Sequence, residues 1–233
     1  MKQIILIVLA VVTLSACNNT AKPGKVKLAN QKDSFAYAFG ANTGRILKTY
    51  NVKELNWDVF KAVVEQVMKN GDSNLLIDKE MEREVAMAYL TECKYGEERK
   101  KGEEFIAKMK KQGGYIVTPS GLMFKSISKG TGVKPLITDT VFVHYTGKFI
   151  DGKLFDSSIG KEPLKTAMNG GAVKGFLEAL SMLDVGAKAE VIIPYDLAYG
   201  KEGMRNPYTG EMNMEPYKTL VFIMKLDKVI QSR

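Results

Sequence analysis

The side chains able to do chemistry in this 233-residue chain are few, and the most suggestive of them share one stretch. From Val141 to Ser158 the sequence reads VFVHYTGKFIDGKLFDSS. Val141, Val143 and Tyr145 alternate with Phe142, His144 and Thr146, the period of a strand that sends two aliphatics and a Tyr to one face. Gly147 ends the strand in this reading, Asp151-Gly152 makes a tight turn, and the chain returns through Leu154 and Phe155 to Asp156, Ser157 and Ser158. A Tyr, a Phe and an Asp thereby meet at the edge of an apolar core. That edge is a candidate pocket.

Most proton-transfer chemistries are excluded around it. The single histidine, His144, alternates away from Tyr145 and reads as a surface residue, so no Ser-His-Asp or Cys-His set assembles around it. No His/Cys cluster has zinc-site spacing, and no Walker-type or dinucleotide-binding Gly-rich loop is present. Gly170-Gly171 precede a helix but lack the rest of an anion-binding motif. Nothing in the pattern places two carboxylates together for glycoside hydrolysis. The reading therefore calls for no metal and no cofactor. What remains is an apolar, aromatic-rimmed site with one Asp and a few hydroxyls, suited to binding or to a reaction that moves no protons.

The elements that position this site lie in the second half of the chain, where Val, Ile, Thr and Phe rise and turn signals come quickly. Leu122 to Ser128 reads as a strand after the Thr118-Pro119-Ser120-Gly121 turn. Ala189, Val191 and Ile193 line one face of another, and Phe222, Met224 and Leu226 one face of the last. Between them Val173, Phe176, Leu177 and Leu180 take the i, i+3, i+4, i+7 spacing of one amphipathic helix. The expected fold is α+β: a twisted antiparallel sheet wrapped on one short helix.

The first half reads as helical. Phe35, Phe39, Ile46, Leu47 and Tyr50 mark one helix. Asn56 caps a second, with Phe60, Val63, Val64, Val67 and Met68 as its stripe and Asn70-Gly71 as its stop. Asp78 caps a third that runs to about Lys111, roughly 50 Å if continuous. Its middle, GEERKKGEEF, has almost no apolar face and reads as a solvated spacer, with Gly96 and Gly102 as candidate breaks. Helices with such short stripes bury little area alone, so pairing with a second copy is expected, docking onto the second half being the alternative. The boundary between the halves falls near Gly113, giving a helical dimerisation domain over 33–112 and a strand-rich domain over 113–233.

Met1 to Ala16 carry a signal: Lys2, then an apolar run from Ile4 to Val12 too short to span a bilayer comfortably. Leu14-Ser15-Ala16-Cys17 resembles the lipobox of bacterial lipoproteins, which implies acylation of Cys17, with residues 17–32 as a flexible tether. The implied location is the bacterial cell envelope, on the periplasmic side or at the cell surface. Once Cys17 is lipidated, Cys93 has no partner for an intramolecular disulfide. The formal charge of +8 comes from Lys spread along the chain. Nucleic-acid binding would need a concentrated basic stripe with interleaved aromatics, and none is seen.

At VHYTG, DGKLFDSS, PLKTAMNGGAVKG, the IP-x-x-LAYG of Ile193 to Gly200 and the closing TLVFIMKL, the chain resembles the FKBP-type peptidyl-prolyl isomerases in order and spacing, from about Thr118 to Val229. The helical half resembles the amino-terminal domain of the bacterial two-domain members, including the macrophage infectivity potentiator type, which are exported dimers. The resemblance implies an isomerase for X-Pro bonds of unfolded or partly folded exported chains, inhibitable by macrolides. A lipid-anchored chaperone or binding module with little isomerase activity is the alternative. It further implies that Tyr145, Phe155 and Phe222 line the proline pocket, that Val173 is on its wall and that Phe176 is its floor. Asp156 then faces the twisting amide, Tyr199 offers a hydroxyl to a substrate carbonyl, and Leu164 and Met214 add apolar contacts. Phe176 stands where many members have Trp, and Leu164 and Thr166 where they often have Phe, making one rim less aromatic.

Overall fold

The computed structural model describes residues 26–232. Cys17 and the signal sequence before it lie outside the described residues, as does the tether up to residue 25. Contacts divide the chain into two units, one ending at Ile46 and one beginning at Leu47. Three helices come first: α1 (Gln31–Thr49), α2 (Trp57–Asn70) and α3 (Lys79–Gln112). The caps are those the sequence signals. Asn56 accepts from the Val59 amide and Asp78 from the Met81 amide, satisfying one orphan donor at each helix start. None of the described helices is long and apolar enough to cross a membrane.

Neither α1 nor α2 buries a single residue. Their large apolar side chains, Phe35, Phe39, Val63 and Val67 among them, stand exposed. α3 answers one question the sequence left open and corrects one reading. It is one continuous helix of 34 residues through both candidate breaks, and the two glycines are its only buried residues. Nor is its middle a purely solvated spacer. Glu92 and Arg99 form an ion pair at 2.7 Å, Glu98 pairs with Lys218 at 2.8 Å, and Gly102 abuts Thr219. This face docks through backbone proximity and charge, neither of which leaves an apolar stripe to read.

The two glycines differ in a testable way. In an exposed helix, Gly→Ala stabilises by about 1 kcal/mol. At Gly96 the nearest atoms to an added Cβ would be those of the Glu92 carboxylate, from 2.6 Å, the tip of a flexible side chain whose ion pair is with Arg99 of the same helix. At Gly102 it would lie 2.4 Å from Thr219 Oγ1 and 3.2 Å from Thr219 Cβ, and Thr219 is itself buried. Gly96→Ala is therefore expected to leave the denaturant midpoint unchanged or raise it, and Gly102→Ala to lower it. Equal gains at both positions would contradict the docking of α3.

After α3 come nine strands and one short helix: β1 (Ile116–Val117), β2 (Met123–Ser128), β3 (Thr140–Phe149), β4 (Leu154–Ser157), β5 (Leu164–Ala167), α4 (Lys174–Ser181), β6 (Lys188–Ile193), β7 (Met204–Arg205), β8 (Met212–Met214) and β9 (Leu220–Ile230). Seven form one antiparallel sheet in the order β1-β2-β6-β9-β3-β4, with β5 also paired to β3. β7 and β8 make a separate two-stranded ribbon inside the loop after Gly200. β3 and β9 pair along ten positions from Thr140↔Ile230 to Phe149↔Leu220 and form the spine of the sheet. The α+β expectation holds. Val141, Val143, Ala189, Val191, Ile193, Phe222, Met224 and Leu226 are buried with Phe176, Ala179 and Leu180 of α4 in a single core.

One boundary in the sequence reading was misplaced. β3 does not end at Gly147 but passes through it to Phe149. A strand glycine often marks a close approach rather than a terminus, and here an added Cβ would lie 2.7 Å from Phe155 and 2.8 Å from Phe222.

Candidate active site

The alternation of β3 places Tyr145 on the core side, where its ring meets Phe176 edge-on at 5.5 Å and Phe222 at 5.9 Å. Phe176 and Phe222 are 5.2 Å apart. Phe155, delivered by β4, packs edge-on to Phe222 at 5.6 Å. These four rings come from β3, β4, α4 and β9, so the site exists only when the sheet and its helix are assembled. Three of the four pairs are edge-to-face, the geometry favoured by the ring quadrupoles, and Tyr145 is tilted on Phe222.

The polar rim is equally ordered. Tyr145 donates its phenolic O–H to Asp156 Oδ2 at 2.6 Å, and Asp156 Oδ1 accepts from the Ser157 amide at 2.8 Å. The carboxylate is thus fixed through both oxygens while remaining exposed. Ser158, buried, accepts the Tyr145 amide on its Oγ at 2.9 Å. The same Oγ lies 3.1 Å from His144 Nδ1, and His144 Nε2 is 3.7 Å from Asp227. His144 is therefore not a plain surface residue, and a serine, a histidine and an aspartate do stand in line. The serine is no nucleophile: its oxygen is buried and committed to the backbone of Tyr145.

Burial, then the hydrogen bond to Asp156, pushes the Tyr145 phenol well above its ordinary value of 10.0. Burial, then the charge of Asp156, pushes Tyr199 up as well. A phenol with a raised folded pKa holds its proton more tightly when folded. Its contribution to stability is complete below the unfolded value of about 10 and is lost as pH rises through the folded one. Both hydroxyls accordingly lose their protons only above the ordinary phenol range. The pH dependence of kcat/KM is expected to show no tyrosine limb below that range. A descending limb with a midpoint under 10 that vanishes in Tyr145→Phe would contradict the assignment.

The remaining predicted residues divide. Tyr199, Val173, Leu164 and Phe155 are half-buried against the core, on its rim. Val173 is the residue just before α4 and Leu164 stands opposite Val143 in β5. Met214 is buried in the core at the end of β8. Thr166 is buried too, donating to the Gly170 carbonyl at 3.3 Å, so it is no rim residue. Sequence reasoning missed Ser158 as the clamp on Tyr145, Gly147 as the space under Phe155 and Phe222, and Phe149, which packs on Phe155 at 5.0 Å. The strand signal of Gly147 was available. Among the described residues no group of three His, Cys, Asp or Glu is placed to hold a metal.

Comparison with known proteins identifies the family. A family model described as FKBP-type peptidyl-prolyl cis-trans isomerase matches residues 132–227, and one described as the domain amino terminal to it matches residues 32–125. The chain is 32% identical to the outer membrane protein MIP of Legionella longbeachae, over 96% of this chain and 97% of that protein. It is 32% identical to the FKBP-type isomerase FkpA of Escherichia coli K12, over 89% of this chain and 79% of that protein. The crystal structure of FkpA superposes with a TM-score of 0.52 at 30% identity, covering 89% of this chain and all of that one. With the isomerase and amino-terminal models both matched, and relatives alike along most of their length, the chain belongs to the FKBP-type peptidyl-prolyl cis-trans isomerases.

Proposed function

We propose that the chain assists the folding of exported proteins by seating the proline of an X-Pro segment among Tyr145, Phe155, Phe176 and Phe222, with Val173, Leu164 and Met214 completing the apolar surround. The observation that carries this reading is the Tyr145–Asp156 hydrogen bond at the rim of an aromatic cluster. It sets one oriented carboxylate beside an otherwise apolar cluster of rings. The X-Pro amide resists rotation by ~18–20 kcal/mol because of resonance across its C–N bond. An apolar recess disfavours the planar, dipolar amide relative to the twisted one, and each ~1.4 kcal/mol so gained is a factor of ten in rate. Asp156 orients the substrate or the Tyr145 hydroxyl, and Tyr199 donates to a substrate carbonyl. No step transfers a proton. A protease-free isomerisation assay on a short X-Pro peptide tests the reading. Absent acceleration alongside suppressed aggregation of an unfolded client would replace it with a binding module.

The finer assignments belong to the same proposal. The helical part, 33–112, dimerises through the exposed apolar faces of α1 and α2, and the isomerase part spans 113–233. Sedimentation of the full chain is expected to give a dimer, and a monomer at micromolar concentration would count against it. Cys17 carries the lipid anchor and places the protein in the cell envelope, a location in keeping with the name of the Legionella relative. Fatty-acid labelling lost in Cys17→Ser tests this. A macrolide occupying the aromatic cluster is expected to compete with the peptide.

A further inference from the structure

The face of α3 that docks does so against three consecutive residues, Tyr217, Lys218 and Thr219, which lead directly into β9. Glu92 and Tyr217 line one hollow, Glu98 pairs with Lys218 at 2.8 Å, and Gly102 leaves room for Thr219. Lys218 is the centre of this contact. Its ammonium is mostly buried, pairs also with Glu215 at 3.1 Å, and lies 5.4 Å from the centroid of the Phe149 ring. Burial works to lower its pKa, yet the hydrogen bonds to Glu98 and Glu215 outweigh burial and the net shift is upward. Phe149 in turn packs on Phe155 at 5.0 Å, and Phe155 on Phe222 at 5.6 Å. A contiguous run of contacts therefore joins the long helix to one wall of the aromatic cluster.

We propose that Lys218 and Glu98 are positioning residues for the isomerase site: held by α3, the Lys218 ammonium fixes Phe149, and Phe149 fixes the Phe155 wall against which the proline packs. The long helix is then part of the substrate site as well as a spacer. This rests on the reading of Phe155 as a pocket wall, and the test separates the two. An ammonium held by two carboxylates on a largely covered side chain has fewer arrangements open to it than a free lysine, which suits it to hold a ring in place. A helix joined to the domain by its last residue alone would leave Phe149 and Phe155 freer to tilt and would weaken substrate binding more than turnover.

The experiment measures kcat and KM on one X-Pro peptide, using the full chain, for wild type, Lys218→Met, Lys218→Arg, Glu98→Gln and the Glu98→Gln/Lys218→Met double variant. Phe155→Ala serves as a reference. Lys100→Ala, which breaks only an exposed pair with Glu97 on α3, serves as a control. Lys218→Met and Glu98→Gln are expected to raise KM roughly three- to tenfold with kcat within about twofold, the size of coupling usual along such contacts. The double variant is expected to be no worse than Lys218→Met, Lys218→Arg to restore KM, and Lys100→Ala to leave both constants unchanged. Glu98→Gln keeps the size of the side chain and one acceptor oxygen at a half-buried position, which keeps the fold testable if Lys218→Met does not unfold cooperatively. An unchanged KM in Glu98→Gln, with Phe155→Ala raising it, overturns this inference and leaves the pocket standing. An unchanged KM in Phe155→Ala overturns both.

Discussion

Asp156→Ala is expected to lower kcat/KM on a short X-Pro peptide by about tenfold to a hundredfold, the kinetic equivalent of losing one or two charge-assisted hydrogen bonds. The carboxylate accepts from Tyr145 and from the Ser157 amide, so its removal takes away the acceptor that holds the Tyr145 hydroxyl. Folding should survive, because Asp156 is exposed and the core does not depend on it. Tyr145→Phe is expected to cost less, since it keeps the ring on Phe176 and Phe222 and removes only the hydroxyl. Asp156→Asn separates charge from geometry: an amide can still accept from Tyr145, so activity between that of wild type and Asp156→Ala would assign part of the effect to charge. Unaltered kcat/KM in Asp156→Ala would remove the residue from the mechanism.

Gly147→Ala is expected to damage both stability and activity, although it adds one methyl group in the middle of a strand. Backbone conformation is not the obstacle, because this glycine adopts no left-handed angle. The obstacle is space. The new Cβ would sit 2.7 Å from Phe155 Cζ and 2.8 Å from Phe222 Cε1, and both rings belong to the site. Overpacking of this kind costs about 1–3 kcal/mol. The rings that must move are the ones proposed to hold proline, so kcat/KM should fall by more than about tenfold. Urea denaturation alongside the isomerisation assay checks both halves. Wild-type activity in this variant would mean that Phe155 and Phe222 do not need their present positions.

How much of this was legible in the sequence depends on what each contact is made of. Periodic apolar burial is written plainly, so the inward face of β3, the stripe on α4 and the faces of β6 and β9 could be assigned residue by residue. Caps at Asn56 and Asp78 were legible because a short polar side chain before an apolar run has one good use. The Tyr145–Asp156 pairing followed from a strand and its return. Docking of the helices onto the second half stood as the alternative to pairing, but the contacts α3 uses were not legible. They are made by Gly102 against Thr219 and by an ion pair from Glu98 to Lys218, within GEERKKGEEF, a segment whose composition is that of a solvated face. Gly147 was read as punctuation because a glycine followed by Lys offers no alternation to continue. Ser158 was counted only as a hydroxyl near the site, and its clamp on the Tyr145 amide depends on a register that the two strands set together.

The central claim is that the proline ring sits among Tyr145, Phe155, Phe176 and Phe222. Intermolecular nuclear Overhauser effects between an X-Pro peptide in slow cis–trans exchange and the protein test it most directly. The account expects contacts from the proline ring protons to the Phe155, Phe176 and Phe222 rings, with exchange between the isomers accelerated on addition of the protein. Accelerated exchange with the proline ring touching residues elsewhere would contradict it.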